Sequence, residues 1–446
     1  MTLFADHALL PCGWRNHVRL EHEAGLLTRV ETGAPATPDD ERVGIVIPGM
    51  PNVHSHAFQR GMAGLAEMRG PAEDNFWSWR ETMYRFALTM TPDHVEAVAA
   101  LLYVEMLEAG FTRVGEFHYL HHDRDGRPYA NPAEMAERIA AAAADTGIGL
   151  TLLPVFYAHS TFGGLAPTSA QGRFVNDLDG FARLVQASRE AVGGLTNGVV
   201  GVAPHSLRAV TPHELVAVTG MAEGGPIHIH VAEQIREVEE CVAWCGARPV
   251  EWLLDHAEVD ERWCLIHATH MTDAEAAALA RSGATAGLCP ITEANLGDGT
   301  FPALVYTQNG GQFGIGSDSN ILIDLAAELR QLEYSQRLSH RRRNVLAGAG
   351  GSTGGNLFGG ALTGGRAALQ DPARGLEIGA PADFVSLRPR LSMSTDRVLD
   401  SWIFADGAAV DCVWVGGTKR VENGRHRSAE EIFARFRGVM TELLAQ

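Results

Sequence analysis

The chain is almost without lysine. Lys419 stands alone among 36 basic residues, the other 35 being arginine. A Walker-type phosphate loop requires its own lysine and is excluded. A lysine Schiff-base mechanism is disfavoured, because Lys419 falls in a turn-like stretch near the C-terminus. Basic charge is scarce overall: 54 acidic residues leave a net charge of −18, which argues against nonspecific nucleic-acid binding and against an anionic membrane surface. Long apolar runs are missing too. No run reaches about 18 residues, and the start MTLFADHALLPCGW lacks the basic and apolar regions of a signal peptide, so no membrane association and a cytoplasmic location are expected. Cysteine is sparse. Cys12, Cys241, Cys245, Cys264, Cys289 and Cys412 are scattered in mostly apolar contexts, which fits reduced core thiols rather than a disulfide framework. Cys241 and Cys245 are four apart and would share a helical face as buried packing.

What is present is an ordinary globular composition, 46% hydrophobic and 20% charged over 446 residues. The two ends read as short strands and turns, with a terminal helix from about Ser428, and are assigned to one small β-sandwich domain, 1–46 plus 378–446. Between them, over 47–377, short apolar runs alternate with helical patterns, which is the signature of βαβ units. The candidate strands are VGIVIPGMPNV, TRVGEFHY, IGLTLLPVF, NGVVGVAP, PIHIHVA, WCLIHAT, GATAGLC and QFGIGS. Eight such units predict an α/β fold of the (β/α)8 TIM-barrel type. Helices are expected at Pro92 to Ala109, Pro132 to Ala144 and Asp273 to Arg281, each with glycine shortly beyond its end. Two connections exceed minimal loops, Ala57 to about Thr89 and Tyr157 to about Phe174, and such loops build substrate pockets. The glycine-rich run Ala347 to Asn356 is read as a mobile surface loop, and basic His340 to Arg343 as a solvated helix end.

Polar residues fall at the C-terminal ends of the predicted strands, where barrel enzymes place their chemistry. His54-Ser55-His56 closes the first strand, and alternation puts both imidazoles on one side. The pair alone is weak evidence. The fifth strand ends His228-Ile229-His230-Val231-Ala232-Glu233, the sixth His267-Ala268-Thr269-His270, and the eighth Gly316-Ser317-Asp318-Ser319. Buried ionisable groups cost several kcal/mol unless paired or bound to metal, so one metal-centred site accounts for all of them. His230 lies nearer the strand end than His228 and is the preferred ligand; His228 reads as a satisfied inner residue and His270 as a loop residue.

PNVHSHAFQRG, HIHVAE, LIHATH and GIGSDSN, in this order and spacing, resemble the amidohydrolase superfamily and its metal-dependent deaminase branch. Many members with two metals bridge them by a modified lysine after the fourth strand. This chain has Ala203-Pro204-His205-Ser206 there, so the resemblance implies one metal ion. WSWRETMYR, EFHYLHHDRDGRPYA, APHSLRAVTP and CPITEANLGDG further resemble the N-formimino-L-glutamate deiminase family. That resemblance implies zinc held by His54, His56, His230 and Asp318, although the same ligands suit Fe2+. It implies a substrate pocket of Gln59, Arg80, Tyr119, His205 and Arg208, catalytic roles for Glu233 and His267 beside Asp318, and a homodimer. Two arginines suit a dicarboxylate substrate through their bidentate forks. The alternative is a deaminase of a heterocycle such as guanine or an adenosine derivative, which predicts stacking aromatics in place of the arginines. Trp77 and Trp79 are assigned to loop packing, and Asn320 has no assigned role.

Overall fold

The chain forms two sheets that meet at Gly49 in a computed structural model describing residues 2–69, 74–373 and 375–445. The first expected strand, VGIVIPGMPNV, is divided there. Glu41–Pro48 joins an eight-stranded sheet built from both chain ends, lying between Thr2–Leu10 and Phe384–Pro389, whereas Met50–Ser55 begins the barrel. Gly49 donates its N–H to the Asp383 carbonyl and Met50 donates to Gly110, so the crossing is fixed from both sides. A Cβ at Gly49 would collide with the Thr112 side chain, and only glycine lets the two sheets approach so closely.

The barrel strands are all parallel. Met50–Ser55, Phe111–His118, Gly149–Phe156, the short pair Val199–Val200 and Ala203–Pro204, Ile227–Val231, Trp263–His267, Thr285–Leu288 and Gln312–Ile315 follow one another around the ring. Bridges Val202–Ile227 and Ser206–His230 join the fourth position to the fifth, and Ile315–Asn52 joins the eighth to the first. The helices lie at Pro92–Glu108, Glu134–Thr146 and Asp273–Ser282, within two residues of their expected limits. Thr91 caps the first with proline at its start, and Thr272 and Glu275 form a reciprocal cap on the last, ended by left-handed Gly283.

Of the glycine-rich run, Ala347 to Ser352 forms a largely exposed turn as expected, and only Thr353 to Asn356 departs from the loop reading by being helical. Ser352 caps the helix Thr353–Leu369, whose glycine face packs on the barrel; a Cβ at Gly364 would meet the Phe313 backbone. Its last turn takes hydrogen bonds from inside the barrel: Thr151 donates to the Leu369 carbonyl at 3.0 Å, and His228 Nε2 lies 2.8 Å from the Ala368 carbonyl.

Much of the first long connection is also helical. Ala57–Met62 is a 3-10 turn and Phe76–Ala87 an α-helix started by an Asn75–Ser78 capping box; residues 70–73 lie outside the described residues. The second connection holds only the short turn Ser169–Gln171. Cys241 and Cys245 share a face of the helix Ile235–Cys245, but only Cys241 is buried while Cys245 is exposed. Among the described residues no helix is long and apolar enough to cross a membrane.

Candidate active site

Strand alternation turns both His54 and His56 inward, where the first, fifth and eighth strand ends converge. His54 Nε2 lies 3.2 Å from His56 Nε2 and 3.0 Å from His230 Nε2, and Asp318 Oδ1 is 3.3 Å from both His54 and His56. All four side chains are buried. The backbone locks this geometry: Ser317 and Asp318 both donate N–H to the His54 carbonyl, and His56 donates to the Asp318 carbonyl. Asn320 acts as the buckle. Its side chain donates to the His56 carbonyl at 3.0 Å and accepts from Ser317 Oγ, which in turn accepts from Asn52. A residue without a sequence-based role thus ties the two ligand-bearing strands together.

The donor set fits a divalent metal ion. His56 Nδ1 faces the Phe117 carbonyl at 2.9 Å and His230 Nδ1 the His205 carbonyl at 3.1 Å, so each carries its proton on Nδ1 and aims the Nε2 lone pair inward. With His54 and the carboxylate, several lone pairs face one another at separations close to the edges of a tetrahedron with bonds of about 2.0–2.2 Å. Burial pushes the His54 pKa down to about 3 and holds that of His230 well below its usual value, keeping the imidazoles neutral as ligands require. Burial opposes ionisation of Asp318, but His54, His267 and His56 outweigh it and hold its carboxyl well below the usual range. No lysine is at hand for a second metal, since Lys419 pairs with Glu41 and Glu422 in the other sheet.

Beside the ligands lie Glu233 and His267. His267 Nε2 is 3.8 Å from Glu233 Oε1 and 3.7 Å from Asp318 Oδ2, while its Nδ1 is 3.4 Å from Glu293 Oε1. Burial works against the charged imidazole, yet Glu233, Glu293 and Asp318 together raise its pKa to about 10. Burial lifts Glu233 to about 7, partly opposed by His267. A carboxyl poised there can both take and give a proton near neutrality. Backbone strain gathers at the same strand ends, with positive φ at Ala232 (51°), His267 (67°), Ala268 (47°) and Asp318 (46°).

These groups open on a cavity of about 560 Å³ that also brings together Gln59, Arg80, Tyr119, His205 and Arg208. Gln59 Nε2 donates to the Tyr119 hydroxyl at 3.0 Å. Arg80 donates to the hydroxyls of Tyr84, at 2.9 and 2.6 Å, and of Tyr157, at 3.4 Å. Arg208 is buried with its Nε unpartnered, and among the described residues neither arginine makes an ion pair. Trp79 lines the cavity too, which corrects its assignment to loop packing. Sequence reasoning missed Glu293, although it lies in the quoted CPITEANLGDG, and Tyr84, four residues after Arg80 on one helix face.

The Amidohydrolase family model matches residues 45–420, and that of the formimidoylglutamate deiminase HutF N-terminal domain matches residues 1–44. The chain belongs to the amidohydrolase family. It is 48% identical to the formimidoylglutamate deiminase of Pseudomonas aeruginosa, over 99% of each chain. A 5-methylthioadenosine/S-adenosylhomocysteine deaminase of Natronomonas pharaonis is 27% identical over 91% of this chain and 90% of its own. Among solved structures, an amidohydrolase from Brucella melitensis superposes with a TM-score of 0.98 at 62% identity, covering 99% of both chains. An adenosine deaminase from Xanthomonas campestris with bound zinc shares the fold, with a TM-score of 0.80 at 21% identity over 100% of this chain and 98% of its own.

Proposed function

We propose that this protein hydrolyses N-formimino-L-glutamate to N-formyl-L-glutamate and ammonia, a step of histidine degradation. The observation that carries the reading is the pair Arg80 and Arg208: two arginines facing the cavity beside the ligand cluster, with no carboxylate among the described residues paired to either. A buried cation without a counterion is costly, and a dicarboxylate substrate supplies what is missing. The name of the 48% identical relative agrees with this substrate.

His54, His56, His230 and Asp318 would hold the metal, which we take to be one zinc ion per chain. Bound there, such an ion polarises water and lowers its pKa to about 7. The substrate carboxylates pair with Arg208 and Arg80, while Gln59, Tyr119 and His205 contribute hydrogen bonds. Asp318 accepts a proton from the attacking water. His267, set between Glu233, Glu293 and Asp318, holds the oxygen in line and stabilises charge at the formimino carbon. Glu233 carries a proton to the terminal nitrogen, the C–N bond to that nitrogen breaks, and ammonia leaves with the C=O bond formed.

The heterocycle alternative predicts stacking aromatics, and Phe76, Trp79, Tyr84, Tyr119, Tyr157 and Phe174 do line the cavity. However, Tyr84 and Tyr157 bind Arg80 through their hydroxyls, and Tyr119 binds Gln59. Comparing ammonia release from N-formimino-L-glutamate and from 5-methylthioadenosine decides between them. The expected kcat/KM ratio favours the former by about 10⁴ or more, because an uncharged nucleoside leaves the two arginines without a carboxylate partner. Equal or reversed preference overturns the assignment.

A further inference from the structure

Resting on the dicarboxylate reading above, we propose that Trp77 is a positioning and specificity-determining residue that holds the pocket arginines ready for two carboxylates through its uncharged aromatic ring. One indole faces three guanidinium groups: Arg80 at 5.6 Å from the ring centroid, Arg208 at 5.9 Å and Arg236 at 4.6 Å. The three arise from different parts of the fold. Arg80 lies one turn along the helix that begins at Phe76, Arg208 follows the fourth barrel position, and Arg236 stands in the helix Ile235–Cys245 just after Glu233.

Two like charges held close together in a pocket need something to steady them. Carboxylates would do so, but they would also neutralise the arginines and compete with an anionic substrate. In this chain the steadying groups are neutral. The Tyr84 and Tyr157 hydroxyls accept from Arg80, and the π face of Trp77 attracts both pocket arginines without carrying a formal negative charge. The full cationic charge stays available to the ligand, and long arginine side chains are already ordered before it binds. Arg236, more than half exposed and paired with Glu240 at 2.7 Å, is nearest the ring and ties it to the helix following Glu233. Trp77 is held on its own side by the helix start, where its backbone N–H donates to Asn75 Oδ1 at 2.9 Å, and by Phe76, whose ring meets the indole edge-on at 5.2 Å.

The test compares full-length Trp77→Leu and Trp77→Phe with the unaltered enzyme. Kinetics with N-formimino-L-glutamate are measured alongside calorimetric binding of glutarate, an unreactive dicarboxylate, and of butyrate, a monocarboxylate. Melting temperature and metal content report folding. In Trp77→Leu, KM is expected to rise and glutarate binding to weaken by about tenfold or more, with kcat falling less than about threefold. Butyrate binding weakens less than glutarate binding, and Trp77→Phe, which keeps an aromatic face, recovers most of the loss. Unchanged glutarate affinity in a folded Trp77→Leu, a loss confined to kcat, or equal losses in both variants overturns the proposal. Should Trp77→Leu fail to fold, Trp77→Phe carries the test through a loss of glutarate affinity of about two- to threefold, and no loss overturns it. An enzyme that binds glutarate but leaves N-formimino-L-glutamate intact contradicts the assigned reaction and not the role of Trp77; one that binds no dicarboxylate contradicts both.

Discussion

Glu233→Gln is expected to keep its metal and lose nearly all turnover. The four ligand side chains do not include Glu233, whose carboxylate lies 3.8 Å from His267 Nε2. The amide has the same shape but can neither accept nor deliver the proton that the leaving nitrogen needs. Loss of a general acid–base group of this kind lowers kcat by about 10²–10⁴. Elemental analysis of the same preparation is expected to return about one zinc per chain, the fourfold set having no lysine for a second ion. A Glu233→Gln variant with normal kcat removes Glu233 from proton transfer. Loss of metal together with activity instead assigns it to holding the ion.

The second large effect belongs to Arg208. Its guanidinium is buried, its Nε is unpartnered, and among the described residues lining the cavity Arg80 is the only other arginine and there is no lysine. Arg208→Met preserves much of the side-chain volume and removes the fork. Two charge-assisted hydrogen bonds to a carboxylate are then lost, and KM for N-formimino-L-glutamate is expected to rise roughly 100-fold or more. Metal content should not change, because Arg208 touches none of the ligands through a hydrogen bond or ion pair. A variant with unchanged KM leaves the substrate carboxylates to be bound elsewhere.

The ligand cluster was legible in the sequence because it broke a local rule. Strands rich in Val, Ile and Leu end in His, Glu and Asp at positions that parity turns inward, and such residues do not sit inside a barrel without a charge-compensating purpose. His228 shares the parity of His230 and was separable only because it lies farther from the strand end; its ring meets the Ala368 carbonyl in the last turn of the helix Thr353–Leu369. Three features were not legible. VGIVIPGMPNV reads as one apolar run, and the switch between sheets depends on Thr112 crowding Gly49, a contact between residues distant in sequence. Ala347 to Asn356 has the composition of a loop and is one as far as Ser352; the helix that follows hides in the same composition because its glycines pack closely on other elements, Gly354 against Leu399 and Gly364 against Phe313. Asn320, Glu293 and Trp77 act through partners far along the chain: Asn320 bonds His56, Glu293 faces His267, and Trp77 faces arginines from two other segments. Periodicity and spacing carry no signal for such contacts.

The central claim is the bond that breaks. Purified protein incubated with N-formimino-L-glutamate, with both products identified by mass and by NMR, tests it most directly. The geometry around Glu233 predicts ammonia and N-formyl-L-glutamate in equal amounts. Formamide and free glutamate, or no products from a fully metal-loaded enzyme, would contradict it.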